Sequence, residues 1–336
     1  MKVLLAAGGT GGHIYPALAL GQFLAGRGAR VAFGGTNHRM ERELFEREGA
    51  DYRGFEIYRP GEKIGGFFKN PLTLFSISSW IRKEAFDCVV CAGGYVSFYF
   101  GLAAAFQRKP LYLLEQNVIP GRVTRLLAPL AVKVFVSFPE SLSGFAPGKA
   151  LWTGNPVRAS LLKIIPDGEG LAVLGGSLGS RRLNEALVRL EKSGFLKKLG
   201  RPLLWITGER DFEMVSSALE ERPGLRIFSY CHHMEEIFAE TALAVSRAGA
   251  SALAELEALE IPGILVPYPH AKDDHQRANA RAMEKKGGYI MVEEGDGFEE
   301  RLEEALIKMN RTGKTGGREP LQKNKSAAER IAEAML

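Results

Sequence analysis

Short apolar runs alternate with amphipathic stretches along most of the chain. Lys2–Ala7 leads into a helix from about Pro16 to Gly26, and Arg30–Gly34 into a charged helix around Arg39–Glu48. Cys88–Ala92 precedes an apolar helix ending near Gln107, and Leu111–Glu115 and Val132–Val136 close the first series. Runs this short, bounded by glycine and followed by helical spacing, predict strands of a parallel sheet with helices on both faces. After Gly154-Asn155-Pro156 the pattern restarts. Leu171–Leu174 is followed by Gly175-Gly176-Ser177-Leu178-Gly179 and a helix over Arg182–Lys192. Pro202–Thr207, Leu225–Phe228, Ala242–Ser246 and Gly263–Pro267 are further strands. The pattern predicts two similar α/β domains, 1–157 and 158–320. Past the polar segment that begins at Gly313, Ser326-Ala327-Ala328-Glu329 reads as a capping box. It opens a last helix over 326–336, whose apolar face is expected to pack back on the first domain.

Length and composition fit that reading. The chain has 336 residues, 46% hydrophobic and 25% charged, which suits two soluble-type domains rather than one. Charge divides unevenly. Residues 1–157 carry 18 basic and 11 acidic side chains (+7), whereas 158–336 carry 26 and 28 (−2). A basic first half favours phosphates or an anionic membrane face, although an ordinary solvated surface has the same composition. Three cysteines form no disulfide framework and suit a reducing compartment. Cys88 and Cys91 lie on one predicted strand at an odd offset, so their side chains point to opposite faces and cannot share a metal. Cys88–Gln107 carries no charge, but Gly93-Gly94 interrupts it, so strand, turn and buried helix fit better than a membrane span. The apolar run Val3–Ala7 is too short for a signal peptide.

The first glycine cluster, Gly8-Gly9-Thr10-Gly11-Gly12-His13, follows a strand and precedes a helix. Glycines there let backbone N–H groups approach an anion at the positive end of the helix. No Gly-Lys-Ser/Thr follows, Ile14 breaks the G-x-G-x-x-G spacing, and no acidic residue closes the second strand. A nicotinamide cofactor is therefore not expected.

The segment Gly8–Leu20 closely resembles the opening motif of the MurG family of glycosyltransferases. The likeness continues through Gly93-Gly94-Tyr95-Val96-Ser97, Glu115-Gln116-Asn117, Gly154-Asn155-Pro156-Val157-Arg158, Gly175-Gly176-Ser177, Arg181-Arg182-Leu183-Asn184 and the block from Arg247 to Gln276. These motifs keep their order and spacing over nearly the whole chain. The resemblance implies a B-type glycosyltransferase fold: two Rossmann-like domains with parallel sheets facing across a cleft. It also implies metal-independent, inverting transfer of N-acetylglucosamine from UDP-N-acetylglucosamine. The acceptor would be the C4 hydroxyl of undecaprenyl-diphospho-N-acetylmuramoyl-pentapeptide, in bacterial peptidoglycan synthesis, with no cofactor beyond the donor substrate.

The same resemblance assigns positions. Donor binding falls to Thr10, Gly11, Gly12, Asn117, Arg158, Ser177, Cys231, the stretch Ala250, Ser251, Ala252, Leu253 and Ala254, then Glu255 and Gln276. Glu255 would hold the ribose diol, for which two carboxylate oxygens are suited. Ser177 and Arg158 would lie near the diphosphate, Cys231 near uracil through its backbone, and Gln276 on a sugar hydroxyl. Thr10, His13 and Tyr95 would line the acceptor side. A neutral imidazole at His13 can take a proton from an attacking hydroxyl, or it can simply bind the acceptor diphosphate. The chain departs from the family pattern at Leu114, Leu178, Ser180, His232-His233 and His275. Leu178 stands where a glutamine is usual and cannot make its hydrogen bonds. The histidine spacings match no familiar zinc pattern, so no metal is expected.

Residues 60–83 mix bulky apolar groups with basic ones. Ile64, Phe67, Phe68, Leu72, Phe75 and Trp80 alternate with Lys63, Lys69, Arg82 and Lys83. These are the ingredients of an interfacial contact with an anionic membrane, here peripheral docking on the cytoplasmic face. A helix packed on the core has the same composition. No nucleic acid is expected as a partner; cell-wall synthesis proteins are. The rival functions are a UDP-N-acetylglucosamine 2-epimerase of the same fold and a non-catalytic scaffold.

Overall fold

The computed structural model describes residues 1–37, 40–58, 66–176, 179–312 and 325–335. The chain divides into two compact units, Met1–Ala159 with Lys325–Leu336, and Ser160–Asn324.

The first unit is built on strands β1 (Lys2–Ala6), β2 (Arg30–Thr36), β3 (Tyr52–Phe55), β4 (Cys88–Cys91), β5 (Leu111–Glu115), β6 (Lys133–Val136) and β7 (Ala150–Trp152). All pair in parallel, in the order β3-β2-β1-β4-β5-β6-β7. Helices α1 (Gly11–Gly26), α2 (Met40–Arg47), α3 (Gly66–Lys83), α4 (Gly94–Phe106) and α5 (Arg122–Leu127) connect them. Side chains alternate across the strands into two apolar layers. Leu4, Val89 and Cys91 belong to one and Val3, Leu5, Cys88 and Val90 to the other. The odd offset of Cys88 and Cys91 thus sends them to opposite faces, and burial pushes their thiols up to about 11 and about 12.

The second unit repeats the plan with β8 (Gly170–Leu174), β9 (Leu203–Ile206), β10 (Leu225–Phe228), β11 (Thr241–Ser246), β12 (Gly263–Leu265) and β13 (Tyr289–Met291). These form a parallel sheet in the order β10-β9-β8-β11-β12-β13. Its helices are α6 (Arg181–Lys192), α7 (Phe195–Lys198), α8 (Phe212–Ala218), α9 (Met234–Ala239), α10 (Ala250–Ala258), α11 (His275–Lys286) and α12 (Phe298–Thr312). In both sheets the order reverses beside the first strand, between β1 and β4 and between β8 and β11. Crevices at such points, outside the carboxyl ends of the strands, are where open α/β sheets bind ligands.

The last helix, α13 (Ala327–Met335), returns to the first unit. Ala328, Ile331, Ala332 and Met335 enter the layer that holds Ile14, Leu18 and Leu20 of α1. Burying Ile331 and Met335 contributes about 1.5–3 kcal/mol each. Arg330 Nε donates to the Thr153 carbonyl at 2.8 Å, and Arg27 pairs with Glu329 at 3.1 Å. One half of the capping box forms, with Glu329 N–H donating to Ser326 Oγ at 3.2 Å, while the Glu329 carboxylate is engaged by Arg27.

Two sequence expectations change. Helix α1 starts at Gly11 rather than near Pro16, so Gly11, Gly12 and His13 form its first turn. Trp80 is not a surface anchor: it is 6% exposed and packs on Phe55 and Phe86 with the Arg53 guanidinium over its ring. Thr73, Ile77, Trp80 and Ile81 share the buried face of α3, whereas Leu72 and Phe75 are each 72% exposed. Arg82 is also exposed. Ile64 and the side chains of Phe67, Phe68 and Lys69 lie outside the described residues. Among the described residues no helix is long and apolar enough to cross a membrane. The uncharged run 88–107 is β4 followed by α4.

Candidate active site

In the first unit, β1 runs out into Gly8 and Gly9, and Thr10 caps α1 in an extended conformation. The Thr10 carbonyl accepts the N–H groups of His13 and Ile14 at 3.1 and 3.3 Å, which closes the first turn. That turn points backbone N–H groups and the positive end of the helix out of the sheet edge. Gly8 is required by close packing: a Cβ there would stand 2.7 Å from Glu41 Oε1 and 2.9 Å from Val96 Cγ2. Glu41 is fully buried below the loop and accepts the Thr36 hydroxyl at 2.7 Å. Sequence reading passed it over, since it looks like an ordinary first-turn acid of α2.

His13 lies against the loop that follows β4. Cβ atoms at Gly93 and Gly94 would stand 2.9 Å from its Nδ1 and 3.2 Å from its Cδ2, and both glycines have positive φ (97° and 74°). The Gly-Gly pair therefore supplies a backbone floor for the imidazole that no other residue type can supply. Ser97 fixes this floor, accepting Gly93 N–H at 2.9 Å and donating to the Gly93 carbonyl at 2.7 Å. His13 Nδ1 meets Gln116 Oε1 at 3.1 Å. At the end of β5, the buried Glu115 carboxylate accepts the N–H groups of Asn117 and Gly121 at 3.0 and 2.9 Å. Tyr95 is half-buried against the core. Thr10 is exposed at the loop. Arg158, expected with the second domain, belongs to the first unit, where its guanidinium lies over the Tyr15 ring at 4.9 Å.

In the second unit, β8 opens into Gly175 and Gly176, the latter at φ +81°. Ser177 and Leu178 lie outside the described residues. A Cβ on Gly179 would come within 2.9 Å of Asp211 Oδ2 and the Thr207 carbonyl, so the loop is pressed against the end of β9. Asn184, fully buried, ties this region together. Its amide donates to the Thr207 carbonyl and Asp211 at 2.9 Å and accepts the Trp205 indole N–H at 2.9 Å. Arg181 stands 3.6 Å from Asp211.

Across the order reversal, β11 leads through Arg247 to α10, capped by Gly249 in an extended conformation. Buried Arg247 donates to the Val266 and Pro267 carbonyls at 3.1 and 3.2 Å and pairs with Glu294 at 2.5 Å. Burial holds its pKa below the ordinary arginine value, an effect that Glu294 offsets only in part. Asn279 Nδ2 holds the Ala248 carbonyl at 3.2 Å. Ala250, Ser251 and Ala252 form the first turn of α10, and half-buried Glu255 lies one turn along from Ser251. The Leu253 side chain is fully buried and its N–H bonds the Gly249 carbonyl at 3.0 Å. Ala254 likewise lies within the helix ladder. Gln276 Oε1 accepts the Tyr268 N–H at 3.0 Å, which leaves the NH2 side of the amide for a sugar hydroxyl. Cys231 follows β10 and is half-buried. Among the described residues no three His, Cys, Asp or Glu side chains gather as a metal site; His275 Nδ1 donates to the Lys272 carbonyl at 2.7 Å.

Two parallel-sheet α/β domains with glycine turns at their order reversals are an architecture used by nucleotide-sugar enzymes, and the family models place the chain among the glycosyltransferases. Residues 3–136 match the glycosyltransferase family 28 N-terminal domain and residues 171–335 its C-terminal domain. Relatives from Halothermothrix orenii (35% identical) and Chlorobium luteolum (36%) each pair 88% of this chain with 86% of their own. Both are named UDP-N-acetylglucosamine--N-acetylmuramyl-(pentapeptide) pyrophosphoryl-undecaprenol N-acetylglucosamine transferase. The chain belongs to the MurG family of glycosyltransferases. Its fold matches the crystal structure of Acinetobacter baumannii MurG with a TM-score of 0.71 at 24% identity, over 99% of this chain and 98% of that one. It also matches a UDP-N-acetylglucosamine 2-epimerase from Listeria monocytogenes at 0.70 and 15%, over 99% and 95%.

Proposed function

We propose that the protein transfers N-acetylglucosamine, with inversion, from UDP-N-acetylglucosamine to the C4 hydroxyl of undecaprenyl-diphospho-N-acetylmuramoyl-pentapeptide. The observation that carries this reading is the pair of order reversals. One is fitted with a held imidazole beside a glycine loop, the other with helix N-termini and a carboxylate. Inverting transfer needs a base for the acceptor hydroxyl and positive groups for the departing UDP. His13 supplies the base. The first turns of α6 and α10 supply N–H donors for the diphosphate, Glu255 binds the ribose diol and Gln276 a sugar hydroxyl. Arg158, stacked on Tyr15 at α1, adds charge on the side of the glycine loop. The leaving group is stabilised by protein dipoles, so neither metal nor cofactor is required, and chelator leaves turnover unchanged.

The acceptor is a membrane lipid. Leu72 and Phe75 on α3 and Phe106 at the end of α4 are exposed apolar side chains, and the basic residues Arg82 and Lys83 end α3 while Arg108 and Lys109 follow the end of α4. This combination supports peripheral docking on an anionic, cytoplasmic membrane face, where cell-wall synthesis proteins would meet the enzyme.

The test incubates the protein with UDP-N-acetylglucosamine and a short-chain analogue of the lipid acceptor. UDP release that depends on acceptor is the expected result. UDP release or epimer formation without acceptor would overturn the proposal in favour of the epimerase reading, which has only the more distant fold likeness behind it.

A further inference from the structure

We infer that Gln116 sets the proton pattern of His13, holding the neutral ring as its Nδ1–H tautomer so that Nε2 carries the lone pair used in transfer. This rests on the reading of His13 as the base. Gln116 is 2% exposed, and its Nε2 donates to the Ala92 carbonyl at 3.0 Å and to the Leu114 carbonyl at 3.4 Å. Both partners are backbone carbonyls, which only accept, so the NH2 end of the amide must face them. The Oε1 end is then fixed toward His13, 3.1 Å from Nδ1. An amide oxygen only accepts, so Nδ1 must carry the hydrogen. Two rigid supports keep the arrangement in register. The Gly93–Gly94 backbone stops the ring from turning away, and Glu115 ties down the chain just after Gln116 through Asn117 and Gly121.

A free histidine side chain in water favours the opposite tautomer, with hydrogen on Nε2. In the Nδ1–H form the attacking C4 hydroxyl gives its proton to Nε2 as its oxygen bonds C1 of N-acetylglucosamine. The C1–O bond to phosphate breaks and UDP leaves with that electron pair. The charge that develops on the ring is stabilised by the Nδ1–H···O=C bond, so Gln116 acts without touching substrate. It is a positioning residue.

Nitrogen-15 NMR of histidine-labelled protein, with the His13 signals assigned by their loss in His13→Ala, reads the tautomer directly, independent of turnover. Wild type is expected to show a protonated Nδ1 and a bare Nε2. In Gln116→Leu the ring should move mainly to the Nε2–H form, with kcat lowered roughly 10–100-fold and the KM for donor unchanged. Gln116→Glu provides the rescue. Its protonated form donates to Ala92 O and still accepts Nδ1–H. Its ionised form favours imidazolium and moves the acid limb of the kcat profile up by about one pH unit. A Gln116→Leu protein that keeps the Nδ1–H tautomer overturns the inference, as does a Gln116→Glu profile that superimposes on wild type. If the tautomer shifts while both Gln116→Leu and His13→Ala keep full turnover, the positioning holds and the reading of His13 as base falls.

Discussion

The two order reversals occupy the same place in two similar sheets, yet what each holds in place differs. In the first unit, glycines bring backbone close and a side chain is the object held: His13 rests on Gly93–Gly94 and is met by Gln116. In the second unit, side chains do the holding and backbone is the object held. Asn184 grips the end of β9, Arg247 the carbonyls after β12, Asn279 Ala248, and Gln276 the Tyr268 N–H. A site that moves a proton must fix one ring to within a few tenths of an ångström. A site that binds a diphosphate must fix a row of N–H groups. On the proposed roles, one frame would serve both.

If that division holds, substitutions should separate cleanly. The largest effect is expected at His13. His13→Ala should lower kcat by about 10²–10⁴-fold with little change in the KM for UDP-N-acetylglucosamine, measured by acceptor-dependent UDP release. A comparable rise in donor KM would place His13 on the donor side and erase the contrast. Glu255→Ala should do the reverse. Loss of hydrogen bonds from a charged group, about 1.5–3 kcal/mol, should raise donor KM or Kd roughly 10–100-fold in calorimetry while kcat changes little.

A third variant sharpens the statement about the second unit. Asn184→Ala strips partners from the Trp205 indole, Asp211 and the Thr207 carbonyl together. Leaving such groups buried and unpaired costs about 1–3 kcal/mol each, so calorimetry should show a lower melting temperature for the second unit and donor affinity should fall with it. An unchanged melting temperature would mean that the network holds nothing. Phe75→Glu should have the smallest catalytic effect: unchanged turnover of a water-soluble acceptor analogue, with less protein sedimenting on anionic vesicles. Trp80→Glu should instead unfold the first unit, because its ring is core. If Phe75→Glu leaves sedimentation unchanged, the exposed face of α3 is not the docking surface.

Much of the frame could be read in the sequence, because β-branched runs followed by glycine and helical spacing recur at both reversals. The strands that escaped reading are β3, β7 and β13. Each is only three or four residues long and partly buried, at a sheet margin, too short for its apolar residues to be told from a loop. The start of α1 escaped for another reason. Glycine is a poor helix former, but here Gly11 and Gly12 are held in the helix by the Thr10 cap and their place in the sheet crevice. Trp80 was misplaced by composition although helical spacing carried the answer, since 73, 77, 80 and 81 form one stripe. Gln116 sits within Glu115-Gln116-Asn117, a motif that by itself gives it no role. Its importance comes from meeting the Ala92 carbonyl and the His13 ring on two other segments, a convergence that no local spacing encodes.

The return of α13 has a consequence for how the molecule is made. The second unit is one continuous stretch, whereas the first needs segments from both sides of it. During synthesis the layer around α1 stays open where Ala328, Ile331, Ala332 and Met335 will fit. At roughly 5–20 residues per second, the ribosome adds the whole intervening unit before that gap can close, a wait on the order of ten seconds or more. The unit that starts first is finished last, and its apolar flank stays open to chaperones throughout.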